Sequence, residues 1–206
     1  MIEHALKDFL FLWATIDPIG TVVIFTALTK KFSKEKRKKT ALKAIIYASV
    51  VLLGSVVLGQ LVLAGMGIRI ISFQVAGGVV LFLFAMQMIF SEFEGREGEQ
   101  ENDHDIAVFP LAIPAIATPG AIMAAILLTD NQKYEITDQA ITGGMLIVVL
   151  GCTYVMMLLS DRILRVIGQN GASITIKVMG MLLAALSVEL IMEAIGIERW
   201  LTPINN

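Results

Sequence analysis

Cysteine, histidine and charge are all scarce in this chain of 206 residues. Cys152 is the one cysteine, so no disulfide framework forms within a chain, and a buried structural thiol is expected there. The two histidines, His4 and His104, lie outside the apolar runs, and no residue set has metal-ligand spacing; neither a metal nor a cofactor is expected. Charged residues make up 17%, where a soluble domain carries about a quarter. That is too few to coat a globule of this size. No Walker-type glycine loop is present, which removes ATP-driven pumping. A pair of facing intramembrane acids, one in a G-x-G-D context, is also missing, and with it intramembrane aspartyl proteolysis. No enzymatic activity is expected, and with a formal net charge of −2 no nucleic-acid partner is either.

What is present is hydrophobic. Apolar residues make up 56% and the mean hydropathy is +0.78. They fall in six blocks, about 9–29, 44–66, 70–90, 107–129, 140–160 and 174–197, each near the 20 residues that a 30 Å hydrocarbon core demands. The leading "MIEHALKD" is of mixed charge and no cleavage pattern follows, so the first block is expected to remain as a span. The reading is an all-α protein of six transmembrane helices, with the lipid bilayer as its solvent.

Lysine and arginine orient it. The stretch "KKFSKEKRKKTALK" holds eight basic residues between Lys30 and Lys43. With that loop cytoplasmic, twelve basic residues fall inside and four outside, which puts both termini outside the cytoplasmic (inner) membrane. The loop "SEFEGREGEQENDHD" has seven acids and one Arg; acids weigh little in orientation, and a solvated linker is expected over 92–106.

Sliding the chain by 101 places Asp17-Pro18-Ile19-Gly20 on Thr118-Pro119-Gly120-Ala121, and the second span on the fifth. Residues 1–91 and 107–206 then read as two three-helix units, a 3+3 inverted repeat with broken helices 1 and 4. Proline removes a backbone donor and disfavours helix in the residue before it, whereas Asp and Thr are good N-caps. Each motif therefore ends one half-helix and caps another near mid-membrane. Asp17, Pro18, Gly20, Thr118, Pro119 and Gly120 are the candidate substrate-binding residues, the glycines allowing close approach. A carboxylate at that depth costs at least about 2.5 kcal/mol and points to function. Asp17 and the deeper of two span-six acids, Glu189, are candidates for proton coupling. Glu193 is expected at the outer interface. Gln60, Gln74 and Gln87, with Gly77, Gly78, Gly143, Gly144, Gly151 and Gly180, read as helix-packing residues. Pro110 and Pro114 are expected to bend their span.

"DPIGTVVIF" and "FPLAIPAIATPGAI", Phe109 to Ile122, resemble the paired motifs of the MarC family, and the likeness covers essentially the whole chain. Members often have Gly where Thr118 stands and Pro where Val23 stands. The resemblance implies a secondary transporter of small neutral amino acids of the glycine or alanine class. Without an ATP motif, coupling to an ion gradient (proton or sodium) or simple exchange is expected, and a homo-oligomer is compatible with the chain. The residues alone lead to a secondary transporter of a small polar solute. Two alternatives stay open: an exporter of another small solute or drug, and a non-transporting membrane subunit or channel whose breaks only shape helix packing.

Overall fold

The computed structural model describes residues 2–90 and 105–196, and among these all regular structure is helical. The acidic linker lies outside the described residues except for its last two positions, as do His104 and the C-terminal ten residues. The helices are α1 (Ile2–Ile16), α2 (Pro18–Leu28), α3 (Lys34–Gly65), α4 (Ile70–Phe90), α5 (Pro119–Leu127), α6 (Ile136–Leu158) and α7 (Ser160–Ile195). An irregular helical segment, Ala107–Ile116, precedes α5.

Local chemistry accounts for the ends. Ser33 caps α3 by accepting from Lys36 N at 3.3 Å, so this helix starts ten residues before its apolar block and carries the basic stretch as its first turns. In the segment 107–116, Phe109 and Ile113 have extended dihedrals (φ −131 and −132°), and each stands directly before a proline. The proline ring clashes with a helical predecessor, which pushes that residue into the β region. Ala117 N then reaches back to Ala112 O at 2.8 Å, five residues away, and the chain bends by 55° into α5.

Among the described residues five helical stretches are long and apolar enough to cross a membrane, α1 and α2 together forming one of them, and six spans result if the bent pair counts as one. The first and fourth apolar runs lie at the centre. Leu12, Ile16 and Phe25 from the first, and Leu111, Ile116 and Ala124 from the fourth, are buried with Ala48 and Leu52 of α3 and Leu146 and Leu150 of α6. A second cluster joins Leu81 and Ala85 of α4 to Met123 and to Ile176 and Leu183 of α7. The outer helices leave large apolar side chains such as Val57, Leu61, Ile174 and Met181 exposed. A lipid-facing helix has this character; a water-soluble monomer rarely exposes so much apolar surface.

The glycines divide. A Cβ on Gly77 would meet Met123, one on Gly78 Ile191 and the Ser187 carbonyl, one on Gly180 Met88, Ile89 and the Ala85 carbonyl. These bring α4 close to α5 and α7. Gly143, Gly144 and Gly151, expected to serve the same end, face open space on α6 within this chain. Cys152 is half-buried rather than buried. His4 lies within the first helix, not outside it.

Candidate functional site

The two Pro-containing motifs meet. Asp17 caps α2, its Oδ1 accepting from Gly20 N at 3.1 Å. Thr118 caps α5, its Oγ1 accepting from Ala121 N at 2.9 Å. Each cap leaves carbonyls of the preceding helix without their usual donors, and in hydrocarbon an orphaned carbonyl costs several kcal/mol. The other motif supplies the replacement. Thr118 Oγ1 donates to Thr15 O at 2.8 Å, and Thr21 Oγ1 donates to Ala115 O at 3.3 Å. Thr15 lost its donor because the Asp17 carboxylate holds the following amides; Ala115 lost its donor to the ring of Pro119. Hydroxyls thus cross between the halves in both directions.

Asp17 is 7% exposed and Thr118 1%. Pro18 and Gly20 are buried beside Asp17, and Gly120 beside Thr118, while Pro119 is exposed. Asp17 takes up left-handed backbone geometry (φ 49, ψ 73°), the one non-glycine among the described residues to do so. Asp tolerates this region better than most side chains. The two glycines are already used by the protein. A Cβ at Gly20 would run into the Asp17 carboxylate, and one at Gly120 into the Leu81 side chain of α4. Their small size serves the cap and the α4–α5 contact, which is a different use from backbone approach to a ligand. Glu189 is not part of this cluster; it is exposed on α7.

Thr21, and the carbonyls of Thr15 and Ala115, were not singled out from the sequence. The available signal was the Thr four residues after Asp17, one helical turn along the face of the cap.

Polar layers lie beyond the breaks at each end of the bundle. At one end Asp8 of α1, 2% exposed, accepts from Thr142 Oγ1 of α6 at 2.5 Å, with His4 Nε2 3.5 Å from the same carboxylate and its ring tilted against that of Tyr134. Nearby Lys133 Nζ meets Glu193 at 2.6 Å, and Gln74 Nε2 donates to Glu193 and to Leu190 O, both at 3.1 Å. The hydrogen bond to Glu193 holds the Lys133 ammonium above its ordinary range. Gln60 Nε2 donates to Thr129 O at 2.5 Å. Gln74 therefore joins α4 to α7, as expected of a helix-packing residue, whereas Gln60 ties α3 to the loop after α5. At the other end Arg37 of α3 forks onto Asp161 at 2.8 and 2.7 Å and donates to Ser160 Oγ at 2.9 Å. Lys43 pairs with Asp105 there and holds that carboxyl below the usual carboxylate range.

Apolar helices of spanning length, lipid-type exposure and a buried polar centre define a polytopic integral membrane protein. The chain belongs to the MarC family of integral membrane proteins, whose pattern matches residues 2–200. A UPF0056 membrane protein of Methanocaldococcus jannaschii is 30% identical over 199 residues, covering 94% of this chain and 97% of its own. One from Archaeoglobus fulgidus is 34% identical over 194 residues (92% and 91% covered). One from Buchnera aphidicola subsp. Schizaphis graminum is 34% identical over 195 residues (94% and 91% covered). No solved structure matches this chain.

Proposed function

We propose that this protein is a secondary transporter of small neutral amino acids in the cytoplasmic membrane, working by alternating access between two inverted three-helix halves. The observation that carries the reading is the crossed pair of hydroxyl–carbonyl bonds. It sets a buried carboxylate and a neutral helix N-terminus against each other at the point where both central runs are interrupted. The N-terminus of α5, capped by a hydroxyl, is free to receive a substrate carboxylate; Asp17 repels a carboxylate and suits an ammonium or a coupling cation.

The packing supports the two-fold relation. Contacts of α1 and α2 with α6 are matched by contacts of 107–116 and α5 with α3. Likewise α2 against α7 is matched by α5 against α4, and α1 against α5 by 107–116 against α2. Gly67 and Gly168, both of positive φ and 101 positions apart, each stand shortly before the third apolar helix of their half. The basic bias of twelve against four supports termini on the outside.

One observation favours a second reading. Thr15 O and Ala115 O already have donors within the chain, as a membrane scaffold without a transport cycle requires. Asp17→Asn separates the two, since Asn caps as well as Asp and also tolerates left-handed geometry. In proteoliposomes assayed for uptake and counterflow over a panel of small amino acids, the wild type is expected to transport. The variant is expected to fold while losing affinity or changing its pH profile. Unchanged affinity and pH profile would leave Asp17 a cap and favour the scaffold reading.

A further inference from the structure

The run Ser160–Ile167 is distinct from the membrane-crossing part of α7. Gly168, at φ 70 and ψ 170°, interrupts the helix, and the apolar span begins at Asn170. At 100° per residue Arg162, Arg165 and Val166 fall on one side of this short helix, and Ser160, Ile163 and Leu164 on the other. Burial follows the same division except at Ile167, which falls on the Ser160 side yet is exposed at the end of the run. Ser160 is buried, Ile163 and Leu164 half-buried, Arg162 and Arg165 exposed, and Val166 86% exposed. Leu158 and Leu159, just before it, are also exposed.

The helix is held in place by its first two residues, through the Arg37 fork onto Asp161 and the bond to Ser160. That contact has two consequences. It places this helix on the same side of the bundle as the basic first turns of α3, where Lys34, Lys36, Lys38 and Lys39 are exposed. It also consumes Asp161, the one acid in the run, and among the described residues neither Arg162 nor Arg165 has an acidic partner. Two unneutralised guanidinium groups therefore flank a bare apolar side chain next to the point where a span enters the bilayer.

Arg presents a planar fork that matches phosphate, and a helix with basic and apolar residues on one exposed side suits the headgroup boundary. A soluble anion would match the arginines but leave Val166, Leu158 and Leu159 bare. An anionic lipid covers both. We propose that the exposed face of Ser160–Ile167 is a binding site for anionic phospholipid of the leaflet that meets the basic end of α3, with the phosphate held by Arg162 and Arg165 and the acyl boundary against Val166. The inference rests on membership of the membrane, not on transport.

The test uses the full chain purified in detergent, with phosphatidylglycerol, phosphatidylcholine or inorganic phosphate added. Native mass spectrometry reads lipid retention and a melting scan reads stabilisation. The wild type is expected to retain phosphatidylglycerol over phosphatidylcholine and to be stabilised by it. R162Q/R165Q is expected to lose the preference by roughly twenty-five-fold, about fivefold for each arginine, with the fold checked by helical circular dichroism. R162K/R165K should recover part of it. K38Q/K39Q, on the same rim, should keep it. Full preference in R162Q/R165Q overturns the site. Equal loss in K38Q/K39Q overturns it too, in favour of a diffuse basic rim, and equal stabilisation by inorganic phosphate reduces it to a simple anion site.

Discussion

The two central interruptions use one device, a capping side chain followed by proline, and reach different geometries. At Asp17 the helical ladder almost continues: Asp17 N bonds Trp13 O and Thr21 N bonds Asp17 O, each at 3.0 Å, and one left-handed residue absorbs the irregularity. At Thr118 the cap is ordinary (φ −66, ψ 155°), but the approach to it is broken twice and the chain turns by 55°. The difference lies in proline number. One proline frees one carbonyl and constrains one neighbour; three prolines in ten residues push Phe109 and Ile113 out of the helix as well. The acid stands at the gentle break and the hydroxyl at the sharp one. If the halves move against each other, the crossed bonds Thr118–Thr15 and Thr21–Ala115 are the contacts that register it.

The sharpest way to separate the two caps is to vary Asp17 with its charge already removed. Asp17→Ala should be less stable than Asp17→Asn by about 3 kcal/mol, from a lost cap and from losing the local side-chain hydrogen bonding that lets Asp and Asn tolerate the left-handed region. Asp17→Gly should fall nearer Asn, since glycine accepts that region freely. Chemical unfolding in detergent measures this. Equal losses for Ala and Gly would mean the left-handed residue carries no strain.

Thr118→Val keeps the shape but removes both the cap and the donor to Thr15 O. It should cost about 2 kcal/mol, while Thr118→Ser should cost little. Thr21→Val removes a single, longer bond and should cost about 1 kcal/mol. The two valines together should deviate from the sum by at least about 0.5 kcal/mol if the crossed bonds act as one unit, and strict additivity would show two independent kinks.

The smallest effect belongs outside the breaks. Because Lys43 depresses the Asp105 carboxyl, that pair stabilises the fold above the ordinary carboxylate range and its contribution disappears as pH falls through the depressed value. Asp105→Asn should change neutral-pH stability barely at all and flatten the acid-side slope of a melting-temperature profile. A drop as large as that of Thr118→Val would mean this contact holds the start of the 107–116 segment.

Much of the frame was legible in residue order. The block 70–90 coincides with α4, and the position of both caps followed from Asp or Thr before Pro. Helix starts were less so. The apolar block at 44 gave no sign that Ser33 caps a helix running through the basic stretch, because hydropathy reports the bilayer and capping reports the helix. Asp8 belongs to the mixed-charge lead before the first apolar run, yet it is buried against Thr142. A mixed-charge stretch carries no mark of which partner will cover it.

Residue order by itself determined the number of apolar runs, the places where they break and the residues that cap them. These depend on hydrocarbon thickness, proline's missing donor and side-chain reach of three residues, all local quantities. Only the tertiary structure decided which donors meet the freed carbonyls, that Gly77, Gly78 and Gly180 are spent on packing while Gly143, Gly144 and Gly151 are not, that Gly120 faces Leu81, and that Glu189 turns outward. The reason is rotational. A helix apolar on all sides has no polar face to fix its turn about its own axis, so its neighbours set which side chains face inward.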